Sequence, residues 1–216
     1  MATMAGASIQ SILHPGLIML LMGGLVLLVN DKYRKYCYIA APILALLTLF
    51  VIGEGSSLTY NITNDLTLSL INCDKLSFIF LVAFCIISVI GCIYSCNTDD
   101  KYEMAAGLFY AGCNMGVVLA GDVLTVLVFW ELSALASTYV VYCGRSNRST
   151  RAAFRYLLVH AFGGSVLLVG MLLYMYHFGG SLQNISDLKD MPTFWIIFVG
   201  CLNMMELILK NEAGIY

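Results

Sequence analysis

Long apolar runs separated by short polar stretches set the pattern of this chain. Six runs, at residues 15–29, 36–53, 76–96, 102–120, 122–143 and 155–178, each approach the ~20 residues that a helix needs to cross a bilayer. A seventh begins near 193 and fades before 210, interrupted by Asn203 and Glu206. Lipid offers no partner to a free backbone N–H or C=O, so runs of this kind must be helices rather than open strands. One stretch follows a different period. "SSLTYNITNDLTLSLIN", residues 56–72, alternates apolar and polar positions around Asn64-Asp65, which predicts a hairpin lying outside the membrane. An irregular loop is the other reading of that stretch. The predicted fold class is all-α, a polytopic membrane bundle of six to seven transmembrane helices. Residues 1–100 carry helices one to three with the hairpin or loop, and residues 101–216 carry helices four to seven.

Charge gives the bundle a direction. Lys32, Arg34 and Lys35 follow the first run, Lys101 follows the third, and Arg145, Arg148 and Arg151 follow the fifth, with Arg155 opening the sixth. Only Lys75 and Lys189 fall on the other side. Cytoplasmic loops are enriched in Lys and Arg, so the N-terminus is expected outside. No positively charged region precedes the first run, and no cleavable signal peptide is expected.

Composition agrees. The chain is 60% hydrophobic and only 11% charged, where soluble domains carry about 25% charged residues. Mean hydropathy is +0.86. These values point to an integral membrane protein in contact with the lipid bilayer. A net charge of −2 supplies no basic face for nucleic acid. No phosphate-binding glycine loop, C-x-x-C or His-x3-His pair is present, so no cofactor and no metal are expected. The cysteines fall mostly inside apolar runs and read as small packing residues. His14 and His177 stand at membrane edges and read as interfacial. Asp122, after Gly121, reads as a helix N-cap.

Against this background Glu131 is conspicuous. It is the tenth residue of the 22-residue fifth run, close to the bilayer midplane. A charge there costs at least ~2.5 kcal/mol on insertion scales. The carboxyl therefore stays protonated, or a cation or buried water file offsets its charge. Either arrangement makes a proton site, and the alternative is a neutral acid bonding a neighbouring helix. Ser133, Ala134, Ala136 and Ser137 are small enough to let another helix approach, so Glu131 is expected to face protein. His160, in the sixth run, has an ordinary pKa of about 6.5 and suits a proton relay. A histidine satisfying a nearby carbonyl or hydroxyl is the competing reading. Gly163 and Gly164, one turn on, suit close packing. Asn114, able to hydrogen-bond across helices, with Ser137, Thr138 and Asn203, would supply polar support.

"DVLTVLVFWELSALASTYVVY" followed by "RAAFRYLLVHAFGGSVLLVGMLLYMY" resembles the antiporter-like membrane subunits of the proton-translocating family. That family includes the D-type subunit of the Mrp-type sodium/proton antiporters and the antiporter-like subunits of NADH:quinone oxidoreductase. Phe129-Trp130-Glu131-Leu132, the basic stretch, and Arg155-Tyr156-Leu157 carry the resemblance, and His160 with Gly163-Gly164 brings it closer to the Mrp D-type branch. It covers residues 105–200 and makes 101–216 part of a first antiporter-type repeat. The resemblance implies that Glu131 is the fifth-helix glutamate of a proton path. It also implies a lysine in a broken seventh helix, followed by a motif like H-x-W-L-P-D-A. Here Asn203 stands at the lysine place, and no such motif follows.

Family chains are much longer and contain two inverted repeats, so the resemblance implies a truncated product. The expected function is a membrane subunit, as a fragment, of a multisubunit monovalent cation/proton antiporter. Its partners would be the other membrane subunits, protons and Na+, and its place an energy-coupling membrane, the bacterial inner membrane. An antiporter-like subunit of NADH:quinone oxidoreductase, without its own redox centre, and an inactive remnant are the alternatives.

Overall fold

The computed structural model describes residues 14–49, 57–63, 66–98 and 100–178, with side chains described as far as 169 apart from much of the hairpin. The elements are α1 (Pro15–Leu28), α2 (Asp31–Leu49), β1 (Ser57–Thr63), β2 (Leu66–Asn72), α3 (Lys75–Ser95), α4 (Lys101–Leu119), α5 (Val123–Tyr142) and α6 (Asn147–Phe178). The seventh apolar run and Asn203 lie outside the described residues.

Helix starts follow short polar side chains that satisfy the free N–H groups of the first turn. Asp74 accepts from Ser77 N at 2.7 Å, Asp100 from Tyr102 N at 2.9 Å and Asp122 from Thr125 N at 2.8 Å. At α1 the cap is His14, whose Nδ1 accepts from Leu17 N at 3.3 Å, with Pro15 preset in the first helical position.

Two helix boundaries differ from the ends of the apolar runs. The second helix begins at Asp31 rather than 36, so Lys32, Arg34 and Lys35 belong to its first turns, where Arg34 pairs with Asp31. The sixth begins at Asn147 rather than 155. Ser149 N donates to Ser146 Oγ at 2.9 Å and Ser146 N to Ser149 Oγ at 3.0 Å, a reciprocal cap. Arg148 and Arg151 therefore ride on α6. The turn before it is made by Arg145 in a left-handed conformation, φ 50°.

The alternating stretch forms two antiparallel strands, with Ser57 opposite Asn72 and Thr63 opposite Leu66. β2 rests on α4 and α5. Neighbouring helices pack in the order α3, α2, α1, α4, α5, α6. The tightest crossing is α1 on α4. A Cβ added to Gly16 would lie 2.6 Å from Gly112 O, and one added to Gly112 would lie 2.8 Å from Gly16 O. Only residues without a side chain allow that approach. Met19, Val26, Leu108, Met115 and Leu119 fill the core beside it.

The outer faces are apolar. Ile79, Ile87, Ile90 and Ile93 of α3 and Phe154, Leu158 and Phe162 of α6 are exposed, which fits hydrocarbon as the surrounding solvent. By length and composition, α3, α5 and Asn147–Val169 of α6 can cross a bilayer. The other three described helices fall short, α1 because it has 14 residues, α2 because it opens on Asp31, Lys32, Arg34 and Lys35, and α4 because Glu103, Asn114 and its tyrosines and glycines dilute its apolar character.

Candidate functional site

Three consecutive residues of α5 are sent in different directions by the 100° turn per residue. Phe129 packs against α4, where a Cβ on Gly116 would lie 2.5 Å from its ring. Its ring also stacks on His14, centroids 6.2 Å apart. Trp130 stacks on His160 of α6, centroids 5.6 Å apart and planes 28° apart. Glu131 lies directly against α6 at Gly164, and a Cβ there would come within 1.7 Å of Glu131 Oε1. Glycine at 164 is what lets the carboxyl lie in the helix interface.

Tyr156, His160 and Gly164 recur at four-residue spacing and form one stripe of α6. The Tyr156 ring lies 5.9 Å from the imidazole. Its hydroxyl lies 3.0 Å from Ser137 Oγ of α5, and the Ser137 hydroxyl is also 3.0 Å from Ala134 O. A polar seam therefore runs between α5 and α6 from Ser137 and Tyr156, past His160, to Glu131. Glu131 Oε1 and His160 Nε2 are both buried without a hydrogen-bond partner among the described residues. Buried polar atoms are nearly always paired. Two unpaired ones therefore lie on a single seam.

The other predicted residues are placed differently. Asn114 donates to Tyr110 O, 2.9 Å away on its own helix, and among the described residues this bond runs along the helix rather than across to another; the i−4 carbonyl is within easy reach. Thr138 donates to Ala134 O at 2.7 Å, again within its helix. Of the two glycines, only Gly164 is closely packed; a Cβ on Gly163 would meet open space. His14 stands at the head of α1, with its side chain turned inward. It is 2% exposed, because capping α1 and stacking on Phe129 draw it under the hairpin. Burial lowers its pKa to about 4 and keeps the imidazole neutral.

Asp122 does more than cap α5. Its Oδ2 also accepts from Ser69 N of β2 at 2.7 Å, and Gly121 N donates to Ser69 O at 2.9 Å. The hairpin is thus pinned to the start of the helix that carries Glu131. A buried polar residue directly after glycine was the available signal, but nothing in the sequence pointed to its partner strand. At the other end of α5, the Arg145 guanidinium donates to Asp100 at 2.9 Å and holds that carboxyl below the usual range.

Residues 120–211, which contain both seam helices, match the family described as NADH:quinone oxidoreductase/Mrp antiporter, transmembrane. This part of the chain is similar to antiporter-type membrane subunits. The chain is 30% identical over 142 residues to the A-type subunit of the Na(+)/H(+) antiporter of Alkalihalophilus pseudofirmus, covering 62% of this chain and 18% of that one. It is 26% identical over 172 residues to a putative antiporter subunit, mnhA2, of Staphylococcus aureus, covering 73% of this chain and 21% of that one. The chain thus spans about a fifth of the length of these relatives.

Two solved structures share the fold. The membrane-bound sulfane sulfur reductase, an archaeal respiratory membrane complex, superposes with a TM-score of 0.72 at 20% identity, over 87% of this chain and 32% of that one. The Mrp complex from Dietzia superposes with a TM-score of 0.69 at 21% identity, over 88% and 22%. The chain is an integral membrane protein with apolar outer helix faces.

Proposed function

We propose that this chain is a membrane subunit of a multisubunit monovalent cation/proton antiporter and that Glu131 is its proton-binding carboxylate. One observation carries the reading. Glu131 Oε1 is buried and unpaired among the described residues, seated on a glycine, on the same seam as the unpaired Nε2 of His160. Glu131 takes up and releases the proton, and His160 relays it. Trp130 and Tyr156 fix the imidazole plane, and Ser137 continues the polar row toward the basic end of α6. Na+ is the counter-ion supported by the names of the relatives. Those relatives are antiporter subunits of the A type, while His160 and Gly163-Gly164 read closer to the D type. The basic residues at the starts of α2, α4 and α6 support an N-terminus outside, in the inner membrane of a bacterium.

The test is sodium-driven proton movement in inverted vesicles that hold the full complex. Glu131→Gln keeps the size and removes the titratable group, so flux is expected to fall to background. Unchanged flux would remove Glu131 from the path. A second reading, an antiporter-like subunit of NADH:quinone oxidoreductase, is supported by the family description and by the fold likeness to a respiratory complex. Co-purification with flavin and iron–sulfur subunits would favour it.

A further inference from the structure

The start of α6 is basic in a way that helix stability does not explain. Arg148, Arg151 and Arg155 fall in its first turns, and no acidic residue does. The helix dipole favours the opposite arrangement. At 100° per residue the three arginines share an arc of roughly 60° on the helix surface. All three are exposed, and with Thr150 and Phe154 they line a hollow of about 590 Å³. Arg151 is partly fixed, its Nε donating to Asn147 O at 3.2 Å. Arg145, just before the helix, pairs with Asp100.

Below the arginines the same side of α6 turns apolar. Phe154, Leu158, Phe162 and Val169 are 62%, 54%, 56% and 54% exposed. They lie on one stripe at helical spacing. From Arg155 to Val169 that stripe is roughly 20 Å long, somewhat more than half the ~30 Å hydrocarbon core. Positive charge is confined to one end, and apolar surface extends from it to leaflet depth. An acidic soluble partner would match the first feature and leave the second uncovered.

We propose that this face binds an anionic phospholipid, with the phosphate against Arg148, Arg151 and Arg155 and an acyl chain along Phe154, Leu158 and Phe162. The lipid would brace the outer side of the helix whose inner side carries His160 and Gly164. Guanidinium groups suit the headgroup because they offer a phosphate two parallel hydrogen bonds.

The test is native mass spectrometry of the purified full-length protein with phosphatidylglycerol or phosphatidylcholine of identical chains. Phosphatidylglycerol should be retained at least tenfold more than phosphatidylcholine. Each Arg→Gln change should weaken retention about fivefold, from the attraction of one basic side chain to an anionic surface. The triple variant R148Q/R151Q/R155Q should lose the preference. Phe162→Asn, which leaves every charge in place, should weaken both lipids alike, and its thermal melt checks the fold. Equal retention of the two lipids, or an unchanged triple variant, would overturn the proposal. Displacement by millimolar inorganic phosphate would also overturn it, in favour of a free-anion site. So would arginine-dependent retention of an acidic membrane protein in place of lipid.

Discussion

Replacing Gly164 by alanine separates what the seam does from what holds the fold together. The new Cβ would lie 1.7 Å from Glu131 Oε1 and 2.8 Å from its Cδ. Ordinary contact begins at about 3.5 Å, so the carboxyl oxygen has to move by roughly 2 Å. Nothing among the described residues holds that oxygen by a hydrogen bond. The movement is therefore cheap for the fold. Alanine also removes the conformational freedom of a mid-helix glycine, which stabilises a helix by ~1 kcal/mol. The melting temperature of the variant should stay level or rise by roughly 2–4 °C. Proton transfer should suffer, because misplacing a reacting group by ~1 Å can cost on the order of a hundredfold.

Gly163→Ala is the matched control. Its Cβ meets open space, it gains the same helix propensity, and it leaves the carboxyl where it is. The assay is sodium-driven proton flux in vesicles, with a thermal melt of each variant. Gly164→Ala should fall at least tenfold below Gly163→Ala at equal expression. Equal flux in the two variants would refute the claim that Gly164 seats the carboxyl. Loss of flux with a lowered melting temperature would refute the claim that the effect is local.

Other sites give sharper tests of the fold. Asp122→Ala removes acceptors of three hydrogen bonds, from Ser69 N, Thr125 N and Thr125 Oγ1, and should cost on the order of 2 kcal/mol. Hydrogen exchange should then quicken in β2 before it quickens in α3. Gly116→Ala drives a Cβ into the Phe129 ring and should destabilise by ~1–3 kcal/mol, while Gly24→Ala, which meets nothing, should be neutral or better in the same melt. His14 is held at about pKa 4 by burial, below its ordinary 6.5. The unfolded chain therefore takes up a proton first, and stability should decline as pH falls from about 6.5 toward about 4. His14→Asn keeps a cap and removes the titration, so that part of the acid-side decline should flatten.

Periodicity made most of this architecture legible. The alternation of residues 66–72 marked β2, and the apolar runs marked six helices, because each pattern reports which face meets water, lipid or protein. The boundary of α6 was missed by eight residues because Arg148 and Arg151 look like loop. Ser146 and Ser149 were the signal, a polar pair three residues apart. His14 looked interfacial because it precedes Pro15 at the edge of an apolar run, but its side chain turns inward onto Phe129. Asp122 showed its local role, the cap, and hid its distant one, the strand. Asn114 ran the other way: a bond across helices was expected and a bond along one was found. Within the seam, Glu131 and His160 stood out in the sequence as costly residues in apolar surroundings. That Gly164 rather than Gly163 takes the carboxyl depends on the rotation of α6 about its axis, which only packing against α5 settles.

The most direct test of the central claim is to watch Glu131 bind its proton. Infrared difference spectra of the membrane-embedded protein, recorded between alkaline and acidic buffer, report a carboxylic-acid C=O signal when a buried carboxylate is protonated. Such a signal is expected in the wild-type protein, displaced in Gly164→Ala and absent in Glu131→Gln. An identical signal in wild type and Glu131→Gln would contradict the role of Glu131, because the proton would then be held by another group.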